Sequence, residues 1–307
     1  MKAFVVIATK GRPKETYNLL SFLSEQIHPI EKIIIVGSES YDVEGLSDQP
    51  FFNQNKLRII QSEAGLTLQR NAGLNEIQLT VDNLDPTDWF VVFFDDDFRP
   101  AKDLIKNCSD MLNSHHNAVG VGGKVLADGA VTGVALSEED ALSYLNKIKP
   151  PQTHLWSGSV NRVTRGLYGC NMAIRGTFAR TERFDENLPL YGWQEDVDYT
   201  IRAMSYGQLY YFASCEGVHM GVTGGRTSGV RFGYSQIANP IYLTKKGTLN
   251  KDFASKLMWR NVLSNLFRTL TFNTKKDYRG RLYGNFLAFL DILGNKCHPL
   301  NVKKLTS

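Results

Sequence analysis

The sequence contains few cysteines and no closely spaced cysteine pair. Its four cysteines are far apart in the chain, at Cys108, Cys170, Cys215 and Cys297. This spacing argues against a zinc knuckle and against a disulfide framework, and it is typical of a protein of the reducing cytosol.

The sequence also lacks a long apolar run. No stretch approaches the roughly 20 apolar residues that cross a bilayer, so we do not expect an integral membrane protein. The apolar segment from Ala3 to Ala8 is too short for a signal peptide and is followed at once by basic residues. We interpret it as a β-strand and not as a targeting segment.

The composition excludes a disordered chain but hides a charge asymmetry. Apolar residues make up 42% and charged residues 21% of the 307 residues, which are ordinary values for a globular protein. The net charge is +4. From Lys245 to the end there are 13 Lys/Arg and 3 Asp, a balance of +10, so residues 1 to 244 carry −6. The tail is therefore a separate electrostatic unit.

Four apolar segments, separated by segments with helical periodicity, dominate the first 100 residues. We predict strands at Lys2 to Ala8, Ile33 to Val36, Leu57 to Gln61 and Trp89 to Phe94. This order predicts an α/β fold with a parallel sheet, whose ligands bind beyond the carboxyl ends of the strands. Val119 to Val125 and Val131 to Ala135 are interpreted as further short strands.

Three consecutive carboxylates, Asp95 to Asp97, follow the fourth strand. Their mutual repulsion is explained if a cation binds there, and strand alternation would place Asp95 and Asp97 on one face and Asp96 on the other. The alternative is an acidic turn that caps the next helix, with Pro100 in its first turn. The buried strand before them favours a site at the edge of a sheet.

A glycine-rich loop, Gly221 to Gly233, contains five glycines together with Arg226 and Arg231. Such a loop is a candidate mobile lid over an anionic ligand. A flexible surface loop explains the same composition about as well.

Six motifs occur in an order that resembles the family 2 glycosyltransferases of GT-A fold. They span roughly residues 3 to 245, and the Trp-x-Glu-Asp element with the later histidine is similar to O-antigen and capsule-type galactofuranosyl- and rhamnosyltransferases. The motifs are Thr9 to Pro13, Gln69 to Leu74, Phe94 to Asp97, Gly169 to Arg175, Trp193 to Asp196, and His219.

The resemblance implies a Rossmann-like GT-A fold, with a mainly parallel central sheet, helices on both faces and a C-terminal helical extension. We expect a catalytic domain over residues 1 to 244, with a nucleotide-binding half (1 to 100) and an acceptor-binding half (101 to 244). Residues 245 to 307 would form the basic helical extension.

The implied activity is metal-dependent, inverting transfer of a sugar from a nucleotide-diphosphate sugar to a hydroxyl of a glycan acceptor in cell-surface polysaccharide biosynthesis. A divalent cation would neutralise the leaving diphosphate. The resemblance assigns the metal to Asp97, His219 and Asp95, and a histidine among oxygen ligands favours Mn²⁺ over Mg²⁺. Taken alone, His219 would more often be a buried structural histidine.

The resemblance makes Asp196 the base that accepts the proton of the acceptor hydroxyl. Trp193 would bind the acceptor with its apolar face, and Glu195 would either bind acceptor hydroxyls or hold Asp196. The alternative is an acidic first turn of a helix, and the two are compatible. We interpret Asp198 as structural.

The nucleotide side is assigned to residues near the strand ends: Thr9, Arg12, Ser38, Glu39, Arg70, Asp95 and Asp96. Family members commonly place an aspartate after the second strand, but Gly37-Ser38-Glu39 stands here, which leaves the base open. A UDP-sugar is the first choice and a dTDP-sugar the second. For Arg12 and Arg70, a surface ion pair is the alternative.

The tail predicts helices with two apolar stripes, one from Phe253 to Leu270 and one from Leu282 to Leu293. Most such stripes pack on their own domain. Basic amphipathic helices also bind anionic bilayers, so we hypothesise a cytoplasmic protein with a peripheral contact at the inner face of the plasma membrane, acting on a lipid-linked glycan.

Two rival functions are weaker. A sugar nucleotidyltransferase would carry a glycine-rich basic loop after the first strand, but Thr9 to Pro13 has one glycine. A noncatalytic glycan-binding module would need neither the aspartate triplet nor a separate Glu-Asp pair. Nucleic-acid binding is not expected, because no recognition motif accompanies the basic tail.

Overall fold

The computed structural model describes residues 1–48, 54–222, 224 and 228–305. The chain forms two compact units. The first comprises Met1–Ala64, Leu68–Arg183 and Thr200–Gly225, and the second comprises Gly65–Thr67, Phe184–Tyr199 and Arg226–Ser307. Arg226, part of the predicted lid, lies outside the described residues.

One sheet in the first unit contains nine strands among the described residues. They are Lys2–Ala8 (β1), Ile30–Gly37 (β2), Leu57–Gln61 (β3), Trp89–Asp95 (β4), Phe98–Pro100 (β5), Ala118–Asp128 (β6), Arg162–Thr164 (β7), Asn171–Arg175 (β8) and Gln208–His219 (β9). The order is β3-β2-β1-β4-β8-β6-β9-β5, and β7 pairs with β9.

The first four strands are parallel, as their sequence predicts. β1 lies between β2 and β4, and Ala8 at its end is in register with Val36 on one side and Asp95 on the other. The six residues Trp89 to Phe94 are all buried, because a strand in the middle of such a sheet is covered on both faces. The ends of these strands therefore meet at one edge of the sheet.

The other half of the sheet mixes directions. β8 is antiparallel to both β4 and β6, whereas β6 and β9 are parallel. β5 is antiparallel to β9 and places Phe98 opposite His219. This pairing brings the end of β9 to the turn that follows β4.

Seven helices of the described residues lie wholly or partly in the first unit, between these strands in the chain. They are Pro13–Ser24 (α1), Leu66–Val81 (α2), Leu104–Ser114 (α3), Gly129–Thr132 (α4), Glu138–Leu145 (α5), Gly176–Ala179 (α6) and Glu195–Ala203 (α7), with short 3-10 helices at Ser40–Val43 and Leu46–Asp48.

The strand predicted from Val131 to Ala135 is wrong. Val131 and Thr132 belong to α4, and residues 133 to 135 are not in a strand. The N-cap of this helix, Asp128, accepts hydrogen bonds from the backbone N–H groups of Ala130 and Val131. An aspartate cap satisfies two of the free donors at a helix start, and it outweighs the β-propensity of a single valine.

The second unit is helical. It contains Gly229–Lys246 (α8), Lys251–Leu270 (α9), Tyr278–Leu293 (α10) and the 3-10 helix Pro299–Lys304. Its core joins α8 and α10 through Tyr234, Ile237 and Ala288. No helix of the described residues combines the length and the apolar character needed to cross a membrane.

Candidate metal and nucleotide site

The aspartate triplet lies at the edge where the parallel strands end. Asp95 is the last residue of β4, and the β5–β9 pairing brings His219 beside the turn that carries the other two aspartates. His219 Nε2 is 3.4 Å from Asp97 Oδ1 and 3.8 Å from Asp95 Oδ2. One ligand atom from each of the three residues lies within 4.8 Å of the others.

This donor set can hold a divalent cation. Two carboxylate oxygens and one imidazole nitrogen are ligands that first-row divalent metals accept. Asp97 and His219 are buried, whereas the side chain of Asp95 is 30% exposed. A bound ion would therefore be held on its inner side by the protein, and Asp95 marks its accessible side.

A buried carboxylate orients the imidazole of His219. The Nδ1 atom of His219 is 3.1 Å from Asp128 Oδ1, and the hydroxyl of Tyr168 donates to Asp128 Oδ2 at 3.0 Å. Because a carboxylate only accepts, it keeps a proton on Nδ1 and turns Nε2 toward Asp95 and Asp97.

The charges of this cluster are strongly linked. Burial alone would lower the pKa of His219, but Asp97 and Asp128 raise it well above its ordinary value. Burial would raise the pKa of Asp97, but His219 and Arg12 hold it below its ordinary value. The carboxylates of the site therefore stabilise positive charge between them.

Asp96 points to a different set of partners. It is fully buried, accepts a 2.8 Å hydrogen bond from the hydroxyl of Thr9 and forms a 3.0 Å ion pair with Arg12. Burial raises the pKa of Asp96 to about 7, against the opposing charge of Arg12. Arg12 also lies 3.4 Å from Asp97, so one guanidinium connects the two carboxylates.

Arg70 is not a surface ion pair. Its side chain is buried, and its Nη2 atom donates to Asp95 Oδ1 at 2.9 Å and to the carbonyl of Gly169 at 2.8 Å. Arg70, which α2 carries, therefore fixes one oxygen of Asp95 while the other faces His219.

A fourth buried carboxylate, Asp42, joins two loops at the strand ends. It accepts hydrogen bonds from the backbone N–H groups of Gly11, Ser38 and Glu39 and from the hydroxyl of Ser38. Burial raises the pKa of Asp42, but these hydrogen bonds lower it below the ordinary value. Asp42 thus connects the turn after β1 with the segment after β2, where Ser38 and Glu39 lie.

The predicted acceptor residues belong to the second unit. Trp193 contacts Phe232 edge to face, and its carbonyl accepts a hydrogen bond from Asn239. Glu195, which is buried, and Asp196 open α7. The preceding Gln194 has φ of 73°, a left-handed conformation that is uncommon for a residue other than glycine and often marks a functional turn.

Asp198 has the structural role expected for it. It is fully buried and accepts hydrogen bonds from Thr248 at 2.8 Å and from Lys246 at 2.9 Å. These bonds tie α7 to the end of α8.

Comparisons with known proteins show the fold. No protein-family model matches the chain, and no curated protein matches it in sequence. S. aureus TarS superposes with a TM-score of 0.54 at 17% identity, over 84% of this chain and 42% of TarS. S. aureus TarS 1-349 in complex with UDP-GlcNAc gives 0.51 at 17% identity, over 84% of this chain and 70% of that one. GalNAc-T7 with UDP, GalNAc and Mn²⁺ gives 0.53 at 12% identity, over 78% and 50%.

The chain has the GT-A fold. It spans less than half of the length of the TarS chain. At these identities the likeness shows the arrangement of the chain and leaves the chemistry to the site itself.

Within this GT-A fold, the structure brings most predicted residues of the first unit together. Thr9, Arg12, Arg70, Asp95, Asp96, Asp97 and His219 form one connected set of polar contacts. Ser38 and Glu39 are not part of this set; their backbone N–H groups donate hydrogen bonds to Asp42. Three residues that support the site were not predicted from the sequence: Asp42, Asp128 and Tyr168. A local sequence signal exists for the N-cap role of Asp128 but not for its contact with His219, because the two residues are 91 positions apart.

Proposed function

We propose that the protein is a metal-dependent inverting glycosyltransferase that moves a sugar from a nucleotide-diphosphate sugar to a glycan hydroxyl. The cluster of Asp95, Asp97 and His219 at the carboxyl edge of the parallel strands carries the proposal, since GT-A sheets bind ligands there. Support also comes from the similar structures of TarS with UDP-GlcNAc and of GalNAc-T7 with UDP, GalNAc and Mn²⁺.

Asp95, Asp97 and His219 would hold the cation, and Mn²⁺ is favoured over Mg²⁺ because imidazole is one of the ligands. When bound, the cation would neutralise charge on the departing diphosphate. Asp128 and Tyr168 keep His219 in the orientation that this requires.

On the nucleotide side, we assign contacts to Thr9, Arg12, Ser38 and Glu39. Asp96 and Arg70 contribute indirectly, because Asp96 holds Arg12 and Arg70 holds Asp95. A UDP-sugar is the first choice of donor and a dTDP-sugar the second.

The transfer itself is a single displacement. The acceptor oxygen attacks the anomeric carbon, the bond from that carbon to the phosphate oxygen breaks, and the diphosphate leaves with the electron pair. Asp196 takes the proton of the hydroxyl, while Glu195 and Trp193 bind the acceptor. Attack from the face opposite the leaving group inverts the anomeric centre, with no covalent intermediate.

In the cell, we propose that residues 1 to 244 form the catalytic part and that residues 245 to 307 serve as a basic helical extension. The acceptor would be a lipid-linked glycan of the O-antigen, lipopolysaccharide or capsule type, extended at the cytoplasmic face of the membrane. A galactofuranosyl- or rhamnosyltransferase of family 2 is the subtype that the Trp-Gln-Glu-Asp element favours.

A thermal-shift screen of nucleotide diphosphates and nucleotide sugars, with and without Mn²⁺, tests the proposal. We expect one base to stabilise the protein only when metal is present, since a ligand that binds the folded state raises its melting temperature. Asp97→Asn should abolish the metal-dependent part. Stabilisation by no nucleotide under any metal condition would contradict the assignment, and release of pyrophosphate from a nucleoside triphosphate would instead indicate a nucleotidyltransferase.

A further inference from the structure

Helix α9 has an apolar face that the described part of the chain leaves exposed. Its packed side consists of Ala254, Leu257 and Asn265. Its outward side carries large apolar residues spaced three and four apart, so they lie along one face. Leu263 is 60% and Phe267 66% exposed. Five of the exposed apolar residues on this side are considered together: Trp259, Leu263, Leu266, Phe267 and Leu270.

Helix α10 repeats the arrangement. Gly284 packs closely on the backbone of Val230 in α8, and Asn285 and Ala288 are buried with it. Four exposed apolar residues of α10 are spaced three and four apart and so share one side: Tyr283, Phe286, Leu290 and Leu293. We refer to this set and the five residues on α9 as the exposed apolar face.

The stripes of the two helices adjoin. The ring of Trp259 stacks on Phe289 with a centroid distance of 5.8 Å. Phe289 lies three residues after Phe286 and four before Leu293, so it borders the α10 stripe. The exposed apolar face is thus continuous across both helices, and it is larger than the scattered apolar residues found on any protein surface.

The charges around this face are mostly positive. Between residues 251 and 296, seven exposed residues are basic and two are acidic. Lys256 and Arg260 precede Leu263 and Phe267 at helical spacing on the same side of α9, and Arg279 precedes Tyr283 on α10. Lys and Arg in such places extend their charged ends to the polar layer while their stems cover apolar surface.

A second copy of the chain fits this surface poorly. In a two-fold dimer the same patch meets itself, so the basic residues that border the face would lie near the basic residues of the second copy. Anionic lipid offers the opposite charge together with an apolar interior, and Trp and Tyr side chains favour that boundary.

We propose that the exposed apolar face docks on an anionic lipid bilayer, with α9 and α10 lying in the plane of the interface. This surface would make the peripheral contact at the inner face of the plasma membrane. Only the choice of a lipid-linked acceptor rests on the proposed glycosyltransferase function, because lipid binding itself requires no sugar transfer.

Flotation of the full chain with vesicles tests this surface. We expect binding to vesicles of equal parts phosphatidylglycerol and phosphatidylcholine, weaker binding at high salt, and little binding to phosphatidylcholine alone. The double variant Leu263→Glu, Phe267→Glu should reduce the bound fraction about tenfold, because two carboxylates replace the central apolar contacts.

The matched control is Leu79→Glu. Leu79 is 77% exposed on α2, outside α9 and α10, so the same change there should leave flotation unaltered. A second variant, Lys256→Gln with Arg260→Gln, should lose most of the preference for anionic over neutral vesicles while keeping the apolar contacts.

Three results would overturn the proposal. The first is wild-type protein that stays in the unbound fraction at low salt. The second is a double variant that floats like the wild type. The third is a protein that does not bind vesicles but forms a dimer, measured by light scattering after size exclusion, that the double variant converts to monomer; the occupant would then be a second copy. Metal-dependent nucleotide binding, measured in the same variants, separates failure of this surface from failure of the proposed function.

Discussion

Removal of the negative charge behind His219 is the sharpest test of the metal cluster. Asp128 Oδ1 accepts hydrogen bonds from His219 Nδ1 and from the N–H groups of Ala130 and Val131, and Oδ2 accepts from Tyr168. In Asp128→Asn, the amide oxygen can keep the first three bonds, and the amide nitrogen can donate to the hydroxyl oxygen of Tyr168. The variant therefore removes charge with little change of geometry.

The expected loss follows from that difference. Replacing the hydrogen-bonding partner of a metal-bound histidine typically costs 10- to 100-fold in metal affinity, or about 1.4 to 2.7 kcal/mol. Because asparagine preserves the orientation of the ring, we expect the lower end, about tenfold or about 1.4 kcal/mol. His219→Ala removes a ligand outright and should cost more than about 100-fold.

Titration with Mn²⁺, followed by the electron paramagnetic resonance of the free ion, measures this affinity without any turnover. Asp198→Asn is the matched control, since Asp198 is equally buried and its partners Lys246 and Thr248 belong to the second unit and not to the metal cluster. Its dissociation constant for Mn²⁺ should equal that of the wild type.

If Asp128→Asn, with an unchanged circular dichroism spectrum, binds Mn²⁺ as tightly as the wild type, Asp128 does not support His219 as a metal ligand. If His219→Ala also binds normally, the metal assignment itself is wrong.

Three further predictions concern other carboxylates. Asp196→Asn should lower the rate of sugar transfer at least about 100-fold while metal-dependent nucleotide binding persists, and near-normal turnover would remove Asp196 from the role of base. Asp42→Ala should destabilise the fold by about 2 to 3 kcal/mol in urea denaturation, because three backbone donors lose their acceptor. Asp185 should make stability depend on pH. Burial raises its pKa, but hydrogen bonds with Lys246, Asn187 and Tyr242 outweigh burial and bring the pKa down to about 2. Since this folded-state pKa lies below the ordinary 3.8, the stabilisation is present above pH 3.8 and is lost as pH falls toward 2. Denaturation of Asp185→Asn at each pH should therefore converge with the wild type in acid, and a constant difference would contradict this account.

The parallel half of the sheet could be predicted from the sequence because its signal is local. Ile33 to Val36 and Trp89 to Phe94 are buried on both faces, so their apolar runs are continuous and their polar ends mark one edge. Asp95 was placed correctly at that edge for the same reason.

The partners of those residues required pairings that no local pattern contains. The contact of His219 with Asp97 depends on β5 lying antiparallel to β9, and β5 is only three residues long. Asp128 serves both as a helix cap and as the partner of His219, but only the first role has a sequence signature. His219 could be predicted from the family resemblance, whereas the role of Asp128 is visible only from its burial and hydrogen bonds in the structure.

For the C-terminal helices, the sequence predicts the elements but not which of their sides is buried. Helix α9 is apolar on two sides, and periodicity alone does not tell which side packs. The expectation that its stripe packs on its own domain is met by Leu257 but not by Leu263 and Phe267. Burying the latter pair would release about 1.5 to 3 kcal/mol for each side chain, so an exposed stripe gives up stability that simple repacking would gain. That cost, together with seven exposed basic residues against two acidic ones, is the physical reason to look for a membrane partner at this face.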